Sequence, residues 1–144
     1  MNFSVRNAVA QDFDAVYPLF KQLWPNKTLN ETELKRVFCR GVASETDELF
    51  CAELDGQLIG FCAYAIMNNL WQEGNISYIY AMVVDEKYRG KGYGTGLIRE
   101  ALDRSKKQGM KRVELDSGFQ REKAHEFYKK LGFEQRAYLF SYIL

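Results

Sequence analysis

The chain has 144 residues, a length that fits one domain and gives no reason to expect two. Apolar residues make up 47% and charged residues 27%, a balance typical of a globular protein with one core. A formal net charge of +1, with basic and acidic residues interspersed, argues against nucleic-acid binding, and no apolar run is long enough to span a membrane. We therefore expect one domain over residues 1–144 that binds neither nucleic acid nor membrane.

The cysteines and the N-terminus indicate a compartment. Cys39, Cys51 and Cys62 are odd in number, well spaced and set in apolar surroundings, which is typical of buried thiols in a reducing environment. The first residues lack the layout of a signal peptide. One histidine and the absence of a Cys-x-x-Cys pattern disfavour a structural zinc site. We expect a cytoplasmic protein without a metal.

The first elements are a strand and two helices. Phe3–Val9 predicts a short strand, and Asp12 can cap a helix whose apolar residues follow helical spacing. Pro18 falls inside that helix and predicts a kink or a late start. Thr28 and Glu31 have the spacing of a capping box, so a second helix is expected to follow.

A hairpin and a central strand come next. Leu49–Leu54 and Leu58–Ile66 predict strands, and the Asp55-Gly56 pair between them is a strong hairpin signal. Ile76–Val84 is apolar on both faces, which is typical of a strand in the middle of a sheet.

The remaining elements follow a glycine-rich turn. A helix ends near Gly109, Arg112–Leu115 predicts a short strand, and a further amphipathic helix ends at Gly132. Ala137–Ile143 predicts a last strand. The order of these elements predicts an α/β fold, in which a mixed sheet carries helices on both faces.

The turn before that helix carries the most functional information. A central strand runs into four alternate glycines, Gly90, Gly92, Gly94 and Gly96. Glycine lets the backbone turn with its N–H groups facing inward, and the helix start adds unpaired donors and a partial positive charge. Arg89 and Lys91 place formal charges beside this turn. The segment therefore predicts a binding site for a pyrophosphate.

The spacing excludes two other phosphate loops. A dinucleotide fingerprint needs glycines at the first, third and sixth positions, but the sixth position is Thr95 when counted from Gly90 and Leu97 when counted from Gly92. A Walker loop needs Ser or Thr after its lysine, whereas Gly92 follows Lys91. A connection without a ligand is the alternative, but alternating glycines cost chain entropy that a connector does not need.

The chain resembles the GNAT superfamily of acyl-CoA-dependent N-acetyltransferases. Their signature, Arg/Gln-x-x-Gly-x-Gly/Ala, is matched from Arg89 to Gly94. A second family motif, Ala-x-x-x-Tyr-x-x-x-Gly-Phe, is matched from Ala124 to Phe133. The resemblance implies a splayed mixed sheet of six to seven strands, with acetyl-CoA as co-substrate between the fourth and fifth strands. It also implies direct acetyl transfer to a primary amine in a ternary complex.

The resemblance further implies a set of site residues. The backbone of Met82, Val83 and Val84 would hold the pantetheine arm, and an N–H group near Met82 would stabilise the oxyanion. Tyr128 corresponds to the tyrosine that protonates the departing CoA thiolate in many relatives. The pyrophosphate would lie on the backbone of seven consecutive residues: Arg89, Gly90, Lys91, Gly92, Tyr93, Gly94 and Thr95.

Two positions depart from the family pattern. Many relatives carry a glutamate on the fourth strand as base for the amine, where this chain has Tyr80, and Arg121 replaces a common asparagine. The group that takes the proton of the amine is therefore unassigned. Core packing is the alternative role for Tyr128, and His125 is either a weaker candidate base or an ordinary surface residue.

The missing carboxylate leaves a second function open. A catalytically weak acyl-CoA-binding or interaction module would need no base, and turnover of CoA in the presence of an amine distinguishes it from an enzyme. The acceptor is a small molecule or a peptide, with a polyamine, an antibiotic amine, an amino acid and a peptide N-terminus all open. The sequence also leaves open whether the protein is a homodimer.

Overall fold

Five β-strands and four α-helices make up the fold in the computed structural model, which describes residues 1–144. In chain order they are β1 (Phe3–Asn7), α1 (Phe13–Leu23), α2 (Glu31–Ala43), β2 (Asp47–Leu54), β3 (Gln57–Asn69), β4 (Gly74–Val84), α3 (Tyr93–Lys107), β5 (Val113–Leu115) and α4 (Glu122–Lys130). The chain divides into two compact units, residues 1–114 and 115–144. A single domain over 1–144 therefore stays a prediction.

The strands form one sheet in the order β1-β2-β3-β4-β5. Neighbours from β1 to β4 are antiparallel. Beside β4, the Lys111 N–H donates to the Asn75 carbonyl and the Ser77 N–H donates to the Arg112 carbonyl. These contacts advance in the same direction along both segments, as expected for parallel neighbours joined through a helix. The predicted mixed α/β sheet is confirmed.

The hairpin between β2 and β3 also agrees with its sequence. Asp55 has φ 51° and Gly56 has φ 82°. Two consecutive residues with positive φ are what a type I′ turn requires, and its twist matches that of the strands it joins.

Helices cover both faces of the sheet in the first unit. On one face Phe13, Phe20 and Phe38 from α1 and α2 form a core cluster with Phe61 of β3. Tyr64, three positions further along β3, points to the other face, where its hydroxyl donates 2.7 Å to Gln108 just beyond α3. Because successive strand residues alternate between faces, α3 lies on the side opposite α1 and α2.

A bulge in β4 changes which residues face which layer. Ala81 pairs with Ala63, whereas Ile79 pairs with Tyr64, so Tyr80 is the extra residue on β4. Ser77 lies on the α3 face, where its hydroxyl is 2.7 Å from that of Ser105. Ala81, four residues later, belongs to the cluster under α1 and α2. The extra residue therefore reverses which face of the sheet the later residues of β4 point to. It also changes the direction of the side chain at position 80.

Two predicted helix caps are wrong. Asp12 occupies the N-cap position of α1, but its carboxylate accepts from both terminal nitrogens of Arg6 and from the Val9 N–H, so its side chain makes no capping bond to the helix. The second helix is capped by Asn30, whose side chain accepts from the Glu33 N–H at 3.1 Å. A tight pair with an arginine outcompetes capping in the first case. In the second, Thr28 and Asn30, two positions apart, are both residue types that favour caps.

The first helix contains Pro18 within its length. α1 begins at Phe13 and continues through Pro18, so the predicted late start is not observed.

The predicted last strand is wrong, and the sheet has five strands rather than six to seven. Residues 133–144 carry no regular secondary structure, and six of their apolar side chains are exposed: Tyr138, Leu139, Phe140, Tyr142, Ile143 and Leu144. Strand propensity reflects packing and pairing with a neighbour rather than an intrinsic backbone preference. The residue types alone therefore overpredict a strand here.

Candidate active site

The glycine-rich turn has the backbone that its sequence predicts. Gly90 has φ 77° and Gly92 has φ 89°, both in the left-handed region that other residues rarely adopt. A Cβ atom at either position would meet no atom within 4 Å. These two glycines therefore serve backbone conformation, and the space beside them is open to a ligand.

The helix start offers a row of donors. Gly92 is the N-cap of α3, and the Gly96 N–H donates to the Gly92 carbonyl at 3.1 Å. The N–H groups of Tyr93, Gly94 and Thr95 precede this bond, so they have no partner within the helix. Three such donors at the positive end of a helix dipole form an anion site. The predicted pyrophosphate residues thus lie together on one turn.

The fourth glycine has a different role. A Cβ at Gly96 would lie 2.8 Å from Cε1 of Phe3, closer than packing allows. The Phe3 ring also stacks on Tyr93, with 5.4 Å between ring centroids. Gly96 therefore lets β1 pack against the first turn of α3.

Arg89 is engaged inside the turn. Its Nε donates 2.8 Å to the Val84 carbonyl, and a terminal nitrogen lies 3.4 Å from Oε1 of Gln22. The guanidinium thus ties the turn back to the end of β4. Lys91 differs, since its Nζ lies over the Tyr88 ring, 6.0 Å from the ring centroid. Of the two predicted cations, Arg89 shapes the backbone.

Gln22 is a site residue that sequence reasoning missed. Its Oε1 accepts 2.9 Å from the Glu86 N–H, and its Nε2 donates 3.4 Å to Asp85. Asp85 in turn accepts from the Lys87 N–H at 3.1 Å. These bonds join the end of α1 to the entrance of the turn. A polar residue on a helix carries no local signal of a partner more than sixty positions away.

A hydrogen bond and close packing with β3 hold the end of β4 next to the turn. Val83 and Val84 are buried and Met82 is half-buried. The Asp85 N–H donates 2.7 Å to the Ile59 carbonyl, and a Cβ at Gly60 would lie 3.1 Å from the Val83 carbonyl. The predicted pantetheine segment therefore leads directly into the glycine-rich turn.

A tyrosine–aspartate pair lies further back on the same strand. The Tyr80 hydroxyl donates 2.6 Å to Oδ2 of Asp47 on β2. Oδ1 of Asp47 accepts from the hydroxyls of Ser44 and Thr46 at 3.1 and 3.3 Å. Burial, followed by the hydrogen bond to Asp47, raises the pKa of Tyr80 well above its usual value. Tyr80 is nevertheless 40% exposed, which is unusual for an aromatic residue on a central strand.

The second family motif forms a defined helix end in the other unit. The Phe133 N–H donates to the Tyr128 carbonyl and the Gly132 N–H to that of Lys129, both at 3.0 Å. Gly132 has φ 100°. This is a Schellman motif, which explains the fixed spacing of its tyrosine, glycine and phenylalanine. The half-buried Tyr128 ring lies against Phe127 and Phe133, with centroids 5.2 and 5.6 Å away.

The remaining candidates have structural partners. Nε2 of His125 is 2.8 Å from the Gly118 carbonyl within its own unit. Burial raises the pKa of the Cys51 thiol to about 12 and that of Cys62 above its usual value, so both stay protonated.

No group of three or more His, Cys, Asp or Glu side chains is arranged to hold a metal ion. No helix is both long and apolar enough to cross a membrane.

Comparisons with known proteins identify relatives. The family model described as acetyltransferase (GNAT) family matches residues 13–133. An uncharacterized N-acetyltransferase of Methanocaldococcus jannaschii is 31% identical over 144 residues; the match covers 93% of this chain but only 62% of that protein. A glucosamine 6-phosphate N-acetyltransferase of Trypanosoma brucei brucei is 30% identical, covering 92% of this chain and 90% of that one. A crystal structure of a Trypanosoma brucei acetyltransferase has a TM-score of 0.80 at 25% identity, covering 99% of this chain and 100% of that one.

Proposed function

Since the chain belongs to the acetyltransferase (GNAT) family, we propose that it transfers the acetyl group of acetyl-CoA to a primary amine. The acceptor is a small molecule or a peptide, and the transfer is direct, within a ternary complex.

One observation carries the choice of co-substrate. The turn at Gly90 and Gly92 leaves open space beside three N–H donors at the start of α3. A diphosphate fits such a row, since each oxygen can accept from a backbone donor without a side chain in between. Arg89 donates to the Val84 carbonyl and Gln22 accepts from the Glu86 N–H. These two bonds hold the turn, and with it the donors, in place before the ligand binds.

The strand that enters the turn supports the rest of the assignment. An extended pantetheine arm carries amide groups that can pair with the backbone of Met82, Val83 and Val84, as an added strand would. An N–H near Met82 is our candidate for stabilising the oxyanion. Tyr128 is our candidate for protonating the departing thiolate, on the strength of the second motif.

The co-substrate is tested by thermal unfolding with different nucleotides. Acetyl-CoA at a hundredfold excess over its dissociation constant stabilises a folded protein by about 2.7 kcal/mol. We expect acetyl-CoA and CoA to raise the melting temperature, and NAD and ATP to have much less effect. Equal stabilisation by all four would remove the specific assignment to CoA.

The transfer is tested with a panel of amines. The panel contains spermidine, an aminoglycoside, alanine, a peptide with an N-terminal alanine and glucosamine 6-phosphate, and release of free thiol reports the rate. Direct transfer predicts initial-rate plots that intersect when both substrates are varied, whereas an acetylated enzyme would give parallel lines. Acetyl-CoA binding without turnover of any amine would make the protein a binding module.

A further inference from the structure

We propose that Tyr80 and Asp47 together accept the proton of the amine, with the Tyr80 hydroxyl contacting the nitrogen and Asp47 receiving the proton behind it. This inference rests on the proposed acetyl transfer and supplies the base that a carboxylate on β4 would otherwise provide.

The order of groups along the coenzyme puts its thioester end near Tyr80. The pyrophosphate site lies beyond Val84, and the pantetheine arm runs back along β4 past Met82. The thioester is at the far end of that arm, so it lies toward Tyr80. Tyr80 and Met82 are two positions apart on the strand, a distance of about 7 Å.

The bulge gives Tyr80 its orientation. As the extra residue of β4, Tyr80 stands outside the regular alternation of the strand. Asp47 lies at the start of β2, where it pairs with Ala65 of β3. The Tyr80 side chain crosses over β3 to reach it. Bulges beside active sites commonly re-aim one side chain in this manner. Tyr80 is 40% exposed, so part of its side chain is accessible to solvent.

The tip of Tyr80 lies close to α2. A Cβ atom at Gly41 on α2 would lie 3.1 Å from Cδ1 of Leu49, which is tight, and 3.4 Å from the Tyr80 hydroxyl, which is an ordinary contact distance. Gly41 therefore lets α2 pack closely on Leu49, and the Tyr80 hydroxyl lies beside this contact.

The hydrogen bonds fix the direction of proton movement. Ser44 and Thr46 donate to Oδ1 of Asp47, which leaves Oδ2 for Tyr80. Because the Tyr80 hydroxyl donates to Oδ2, its own oxygen lone pairs point away from Asp47 and can accept from an amine. The raised pKa of Tyr80 keeps it a phenol before the reaction, so it relays a proton and does not store a charge.

The chemical step balances without another reactant. The amine enters as an ammonium ion, which passes one N–H proton to the Tyr80 oxygen while the phenolic proton passes to Asp47. The freed nitrogen lone pair then forms a bond to the acetyl carbon. The carbon–sulfur bond breaks, the thiolate leaves with the electron pair, and it is protonated as the nitrogen releases its second proton. The products are an amide, CoA and a protonated Asp47, which loses its proton to solvent.

The experiment compares two variants with two matched controls. Asp47→Asn and Tyr80→Phe remove the carboxylate and the hydroxyl. Glu48→Gln removes the next carboxylate on β2, which pairs with Arg104, and Tyr64→Phe removes a hydroxyl directed at Gln108. Each protein is assayed with the panel amine that wild type acetylates fastest, from pH 6 to 10, together with CoA affinity and melting temperature.

We expect kcat at pH 7 to fall about a hundred- to a thousandfold in both variants, with CoA affinity within twofold of wild type. The rate of Asp47→Asn should recover as the pH approaches the pKa of the amine, because an amine that is already neutral needs no base. Asp47 and the more distant Cys62 thiol are the ionisable groups acting on Tyr80, and Cys62 stays protonated over most of this range. The two controls should keep their rates within threefold.

Three results would overturn the inference. Variants within threefold of wild type would remove Tyr80 and Asp47 from the reaction while leaving the proposed transfer intact. A rise in KM for the amine with unchanged kcat would reduce the pair to a binding contact. A wild-type protein that acetylates none of the five amines would overturn the proposed function and this inference together.

Discussion

The side-chain oxygen of Gln22 accepts a 2.9 Å hydrogen bond from the backbone N–H of Glu86. One end of α1 is thereby fixed to the turn that follows β4, and the same oxygen lies 3.4 Å from Arg89. The contact joins a helix of the core to the backbone donors of the proposed pyrophosphate site.

Removing this contact should loosen the turn. A hydrogen bond of this type contributes about 0.5–1.5 kcal/mol. Gln22→Ala should therefore weaken CoA binding about threefold to tenfold with a small loss of thermal stability, measured by calorimetric titration. Gln11→Ala, on an exposed turn, is the control and should bind CoA as wild type does. Equal affinities of the two variants would show that the turn does not depend on Gln22.

Gly92 and Gly56 form a matched pair for testing the phosphate position. Both have a positive φ, 89° and 82°, and neither has an atom within 4 Å of a Cβ. Replacement by valine should strain either backbone by about 1–3 kcal/mol. Only Gly92→Val should also lose CoA affinity, by more than tenfold, because its side chain stands where the diphosphate approaches the donors. Equal affinity losses in both variants would place the pyrophosphate elsewhere.

Arg6 and Asp12 predict a dependence of stability on pH. Two hydrogen bonds of 2.8 Å from Arg6 hold the pKa of Asp12 below its usual value. A depressed pKa contributes stability above the unfolded value of about 4, and that contribution is lost as pH falls through the folded value. In urea unfolding, the free energy of unfolding of wild type should therefore be larger than that of Asp12→Asn at pH 7. This difference should shrink below about pH 4. A difference that is constant with pH would mean that the pair contributes nothing through its charge, and Asp14→Asn serves as the exposed control.

Tyr128 provides a kinetic test of the proposed acid. Tyr128→Phe keeps the ring contacts with Phe127 and Phe133 while it removes the hydroxyl. Loss of a general acid should lower kcat about a hundred- to a thousandfold, with little change in KM for acetyl-CoA, since the contact strengthens only as sulfur becomes anionic. A rate within twofold of wild type, with chemistry shown to be rate-limiting, would make Tyr128 a packing residue.

The sequence predicts this fold well where a residue's role is local. The hairpin at Asp55-Gly56, the turn at Gly90 and Gly92 and the helix stop at Gly132 all depend on positive φ angles, which glycine signals directly. Strands and helices with clear periodicity were found for the same reason, because burial of one face is a local property of the pattern.

What the sequence could not predict depends on distant partners. Asp12 pairs with Arg6 instead of capping a helix, and Gly96 serves the packing of Phe3 rather than the turn. Gln22 and Asp47 meet their partners across 64 and 33 positions of the chain. The choice among such partners is made by tertiary packing, which a single sequence does not show.

The central claim is most directly tested by following both products of one reaction. The purified protein is incubated with acetyl-CoA and each panel amine, and free CoA thiol and the N-acetylated amine are quantified together, the latter by mass spectrometry. The account predicts that at least one amine gains a single acetyl group in a one-to-one ratio with released CoA. Release of CoA without any N-acetylated product, or no release above the rate without protein, would contradict it.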